Sequence, residues 1–193
     1  MKKINIVIVL IILSSNAFGQ ALNEFKSTLE NCWMNVTIPS GFVESKVISN
    51  KDMRYDYAVK YPDRDFELRY SISPIQTKKN RNDTLTSENK EQIKFRNSNY
   101  SIILKAIILN ITGGVQYKIQ EFDNNAVKEE FNADWGAMTF VELNSAFGKG
   151  YKYCMIVAIH KNDVADAYYF YLSNTKDKFS ENQDPLFHTL KFD

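Results

Sequence analysis

Between Asn132 and Leu172 the chain carries three successive apolar-rich segments, the last two of them apolar at nearly every position. NADWGAMTFVEL is followed by an NSAFGKG connector, and then by YKYCMIVAIH and AYYFYL, joined through KNDVAD. Strands that are apolar on both faces belong in the middle of a sheet covered on both sides. This stretch therefore predicts the centre of the core: one strand, a loop, and a hairpin with a polar tip.

Elsewhere the pattern is a strict alternation. Tyr55, Tyr57, Val59 and Tyr61 alternate with polar or small residues, as do Phe66, Leu68, Tyr70 and Ile72 after the turn Pro62-Asp63-Arg64-Asp65. Pairing Tyr61 with Phe66 puts Val59 opposite Leu68 and Tyr57 opposite Tyr70 on one face, with Lys60 opposite Glu67 on the other. A one-residue slip would turn every aromatic to the wrong face.

Helical spacing appears at Leu22, Phe25 and Leu29, and again at Tyr100, Ile103, Leu104, Ile107 and Ile111. The second helix begins near Ser87 and stops at Gly113-Gly114, glycine being the residue that accepts a left-handed C-terminal cap. A strand is expected at Trp33–Ile38 and another at Val115, Tyr117 and Ile119. Asp123 can cap a helix carrying Ala126, Val127, Glu130 and Phe131, the alternative being a hairpin turn at Asn124-Asn125. Asp184-Pro185 opens a closing helix that turns Leu186, Phe187 and Leu190 inward. Hairpins with helices inserted between them predict an α+β fold, a mainly antiparallel sheet of six to seven strands flanked by helices.

That layout resembles the PsbP-like family, an antiparallel sheet flanked by helices shared by a photosystem II extrinsic subunit and a Ran-binding import factor. The similar parts are VTIPSGF, the two hairpins, the helix before Gly113 and the closing LFHTLKF. The fold has no shared catalytic site, so the resemblance implies an accessory or binding role and carries no functional residue over. The chain also resembles small secreted proteins of Bacteroidetes in its richness in Asn, Lys and Ile.

The first residues change the picture of where the protein works. Lys2 and Lys3, the apolar run Ile4–Leu13, and Ala17 and Gly19 before Gln20 form a cleavable signal. The apolar run is shorter than the ~20 residues a bilayer span needs. Residues 1–19 are thus expected to be a signal peptide and residues 20–193 a single α+β domain, exported to the periplasm or beyond. Without Lys2 and Lys3, the 24 basic residues fall to 22 against 23 acidic ones, a net charge of −1. That balance gives no support for a basic nucleic-acid footprint, and no nucleic-acid partner is expected. The one locally basic run is Lys78-Lys79-Asn80-Arg81. Export permits a disulfide between Cys32 and Cys154, the alternative being two separately buried thiols.

Candidate chemistry is sparse. Asp134-Trp135-Gly136 can form a ligand shelf, the ring stacking and the acid orienting; alternatively Asp134 satisfies backbone donors while Trp135 fills the core. In a three-residue loop register His160 faces Asp166, an imidazole–carboxylate pair of the general-base kind. Other registers pair it with Ala165 or Ala167 instead, and the alternative to a general-base pair is a surface histidine at a turn. His188 has no second metal ligand at i+4, and no nucleophile elbow, phosphate-cradling loop or calcium loop accompanies these residues. No cofactor is implied. The sequence points to an exported non-enzymatic binding or accessory module whose partner is a protein or a small molecule, with no stable membrane insertion after signal cleavage. The alternative is a small periplasmic hydrolase or isomerase using His160 with Asp134 or Asp166.

Overall fold

The computed structural model of the protein describes residues 21–78, 85–182 and 184–193. The expected signal segment and all of the basic run but Lys78 lie outside the described residues. In chain order the elements are α1 (21–31), β1 (Met34–Val36), β2 (Val43–Glu44), β3 (Tyr57–Lys60), β4 (Glu67–Pro74), α2 (Ser87–Thr112), β5 (Gln120–Glu121), α3 (Asn124–Phe131), β6 (Trp135–Glu142), α4 (Ser145–Gly148), β7 (Tyr153–Lys161), β8 (Ala165–Ser173), α5 (Lys178–Asn182), α6 (Asp184–Phe187) and β9 (Leu190–Phe192).

Seven strands form one sheet in the order β2-β3-β4-β8-β7-β6-β5, while β1 and β9 pair separately as a two-stranded ribbon. Every pairing is antiparallel. The class is α+β, as the alternating patterns require. The runs apolar at every position, β7 and β8, lie at the centre because both of their faces are covered. Alternate residues of β7 and β8 enter two separate cores. Met155, Val157, Ile159, Tyr169 and Tyr171 face α1, α3, α6 and the ribbon. Ile156, Ala158, Tyr168 and Phe170 face α2 and α4.

Local signals set the boundaries of these elements. The β3–β4 register is the one that keeps the aromatics together, Tyr57 opposite Tyr70, Val59 opposite Leu68 and Lys60 opposite Glu67. Helix α2 runs unbroken through Asn97-Ser98-Asn99 and ends at Gly113, whose φ of 75° is the left-handed cap. Asp123 caps α3, accepting bonds from Asn125 N and Ala126 N at 2.9 and 3.2 Å. Gly136 in β6 lets α3 come close: a Cβ there would lie 3.0 Å from Phe122 and 3.1 Å from Val127.

Two expectations are corrected, and the open question of the cysteines is decided for separately buried thiols. Val115–Ile119 forms no strand. It runs beside β6, where side chains take the bonds a ladder would: Thr139 Oγ1 donates to Lys118 O (2.9 Å), and Glu142 N donates to Tyr117 Oη (3.1 Å). The closing helix is only Asp184–Phe187, and Leu190 belongs to β9, which pairs with β1. Cys32 and Cys154 are free, buried thiols and not a disulfide. Cys32 sits in the core beside Phe25 and Leu29, and Cys154 in the opposite one, so the sheet lies between them. Burial, with a smaller push from Asp56, raises the Cys32 thiol to about 11, and burial raises Cys154 further. Neither is a thiolate near neutral pH, so neither is a ready nucleophile.

Three central tyrosines tie the C-terminal segment to the sheet. Tyr70 donates to Thr189 Oγ1 (3.0 Å), whose own proton goes to Leu186 O. Tyr169 donates to Leu190 O, and Tyr171 to Leu186 O (3.4 Å). Burial raises the pKa of all three phenols above the usual value. In the unfolded chain they ionise near pH ~10, before the folded protein releases their protons. Stability is therefore complete below that pH and falls as pH rises toward the folded values. The expected slope is about 1.4 kcal/mol per pH unit for each tyrosine withheld from ionising. Denaturant midpoints measured from pH 9 to 12 should show this fall, and Tyr169→Phe should flatten it. Midpoints that stay level to pH 12 would refute it.

Candidate functional site

The polar residues singled out in the sequence meet at one end of the sheet, on the face under α2. Strand pairing sets Trp135 on β6 opposite His160 on β7, His160 opposite Asp166 on β8, and Asp166 opposite Ser73 on β4. Four neighbouring strands thus present one row: Trp135, His160, Asp166, Ser73. The β7–β8 turn makes this possible. Lys161 pairs with Ala165, leaving a three-residue loop in which Asp163 adopts a φ of 63°, a left-handed conformation that Asp tolerates.

Helix α2 lies over the row with two residues one turn apart, a spacing that puts them on the same helix face. Arg96 Nη2 donates to Asp166 Oδ2, to Ser73 Oγ (2.9 Å) and to Ser73 O (3.1 Å). The Tyr100 ring stacks on His160 at 4.4 Å between centroids and tilts over Trp135 at 4.8 Å. Asn97 adds a reciprocal pair with Asp163: its Nδ2 donates to Asp163 Oδ1 (2.8 Å), and Asp163 N donates to Asn97 Oδ1 (3.1 Å).

His160 is not at the surface. It and Asp166 are each 1% exposed, because Tyr100 of α2 stacks on the ring and Arg96 of α2 reaches the carboxylate. His160 Nδ1 lies 2.6 Å from Asp166 Oδ1, and its Nε2 lies 3.3 Å from Asn162 Oδ1. Asn162 is held in turn by Asp134, whose Oδ2 accepts from Asn162 N (2.9 Å) and Nδ2 (3.0 Å), while Asp134 N donates to His160 O (2.8 Å). Asp134 therefore satisfies backbone and amide donors at the junction. Trp135, 7% exposed, packs against Tyr100 in the core. The four candidate residues are contiguous, and of the four only Asp134 is exposed.

Several members of this cluster, Arg96 and Ser73 among them, carry no site signal in the sequence. Arg96 lies four residues before Tyr100 and continues its helical stripe, so the spacing was visible while its charge argued for a solvated face. Ser73 became a member only through the β4–β8 register. His188 is elsewhere, with Nδ1 3.2 Å from Glu130 Oε2 near the surface. Among the described residues no group of three or more His, Cys, Asp or Glu is placed to hold a metal ion. No described helix is long and apolar enough to cross a membrane.

No protein-family model and no curated protein matches the chain. Among solved structures, the cyanobacterial PsbP protein CyanoP from Synechocystis sp. PCC 6803, determined in solution, is similar. The match covers 84% of this chain and 88% of that one, at 14% sequence identity and a TM-score of 0.39. The PsbP-like resemblance is thus a weak one. At that identity and score it says nothing of activity, ligand or partner.

Proposed function

We propose that the protein is an exported, non-enzymatic binding or accessory module in which Asp134, Trp135, His160 and Asp166 hold a binding surface in shape. One observation supports this reading above the others: the imidazole of His160 is sealed, with both nitrogens facing acceptor oxygens of the protein. A general base needs a nitrogen within hydrogen-bond reach of a substrate proton. Here Asp166 shares its carboxylate between His160 and Arg96, and Tyr100 covers the ring. The arrangement serves to fasten α2 to the hairpin. Export rests on the Lys2–Gly19 pattern, and the partner is a protein or a small molecule.

The hydrolase or isomerase alternative draws on the 2.6 Å His160–Asp166 contact, the orientation used in acid–base pairs. The two readings separate with His160→Gln, which keeps a hydrogen-bonding side chain in place of the ring. The binding module predicts that wild type and variant, matched by thermal melt, recover the same partner from a periplasmic extract. Turnover of an ester, amide or phosphoester panel by wild type, lost in a folded His160→Gln protein, would overturn it.

A further inference from the structure

The outer side of Arg96 opens onto a cleft with a chemistry of its own. Two cavities adjoin there, of about 200 and about 380 Å³, and they share Gln76, Leu85 and Ile93 between the end of β4 and the first half of α2. The smaller is edged by Arg96 and the amides of Gln76, Asn89 and Gln92. The larger is edged by Lys90 and Lys94. Among the described residues, three cations border the cleft. A carboxylate on its wall, Asp163, is already engaged by Asn97.

Arg96 uses Nη2 for all of its bonds to Asp166 and Ser73, while its Nε is buried and bonds to nothing among the described residues. A buried donor left without an acceptor is costly, and a guanidinium N–H is a permanently charged, strong donor to an oxyanion. Amide side chains supply further donors, and lysines act as point charges.

We propose that this cleft binds a small oxyanion-bearing molecule, a phosphate or a carboxylate, through Arg96 with Lys90 and Lys94. The proposal rests on the reading of the chain as a binding module and gives it a ligand class. Arg96 serves both sides: its inner atoms hold the row beneath α2, and its outer edge meets the ligand.

The test follows the Arg96 Nε–H signal in nitrogen-15 NMR spectra of the purified protein during titration with sodium phosphate and, separately, sodium succinate. Sodium chloride at matched ionic strength is the control. A saturable shift with either anion supports the proposal. Phosphate alone identifies a phosphate site, succinate alone a carboxylate site, and both a general oxyanion site. The exposed double variant Lys90→Glu/Lys94→Glu, checked by thermal melt, should bind at least about tenfold more weakly, since two attractive charges become repulsive. An unmoved signal, an equal response to chloride, or unchanged affinity in the double variant would overturn the proposal. None of these outcomes touches the partner recovery or turnover of His160→Gln, so the two readings fail separately.

Discussion

Arg69→Ala is expected to destabilise the protein by about 4 kcal/mol, within the range for removing one partner of a buried ion pair. Arg69 is 1% exposed in the middle of β4, on the face toward α4. Its Nε lies 2.6 Å from Glu67 Oε1, and its Nη atoms donate to the carbonyls of Phe147 and Gly148, where the four-residue α4 ends. The rings of Tyr55 and Phe147 lie 4.9 and 5.1 Å from the guanidinium. Truncation strands the Glu67 charge, orphans two carbonyls and empties the space between two rings. Glu67→Gln added to Arg69→Ala should recover part of the loss by removing the uncompensated charge. Urea unfolding decides the matter: an Arg69→Ala protein within about 0.5 kcal/mol of wild type would show the buried pair to be unimportant.

Asp166→Ala is expected to cost about 3 kcal/mol, the lower end of the same range, because Arg96 is 25% exposed and can turn toward water. The substitution leaves His160 Nδ1 and Arg96 Nη2 without the carboxylate they share. Asp166→Asn keeps an acceptor for His160 and loses only the charge on Arg96, so it should cost about 1–2 kcal/mol. The order Ala worse than Asn, read from denaturant midpoints, is the signature of a shared carboxylate. Equal losses would mean that the hydrogen bonds contribute nothing beyond packing.

What could be read from the sequence was whatever depends on periodicity or on a single residue's conformational need. The β3–β4 register followed from its aromatics, the centrality of β7–β8 from strands apolar on both faces, and the end of α2 from Gly113. The misses share a cause: they depend on neighbours far along the chain. Glu67, Arg69 and Ser71 alternate with apolar residues as a solvent face would, yet β4 lies between β3 and β8 and under α4, so that face is buried. His160 at a polar turn reads as exposed, and is buried because α2 lies across the turn. Cys32 and Cys154 carry no mark of which face each occupies. The ribbon of β1 and β9 joins the two ends of the described chain, a pairing no local pattern announces. At the site, Asp134, Trp135, His160 and Asp166 were visible as candidates, while their burial and the part played by Arg96 depended on where α2 packs.

The buried residues of α2 are Leu104, Ile107, Ile108, Ile111 and Thr112, all in its C-terminal third. Its earlier turns are held to the hairpin by Arg96, Asn97 and Tyr100, so the polar row is a clamp on that half of the helix. Hydrogen–deuterium exchange of wild type and Arg96→Met tests this most directly. A clamp predicts that amides of residues 87–103 lose protection by about 10- to 100-fold, a local opening that leaves β6, β7 and β8 near their wild-type values. Unchanged protection across residues 87–103, or an equal loss in the sheet, would contradict it.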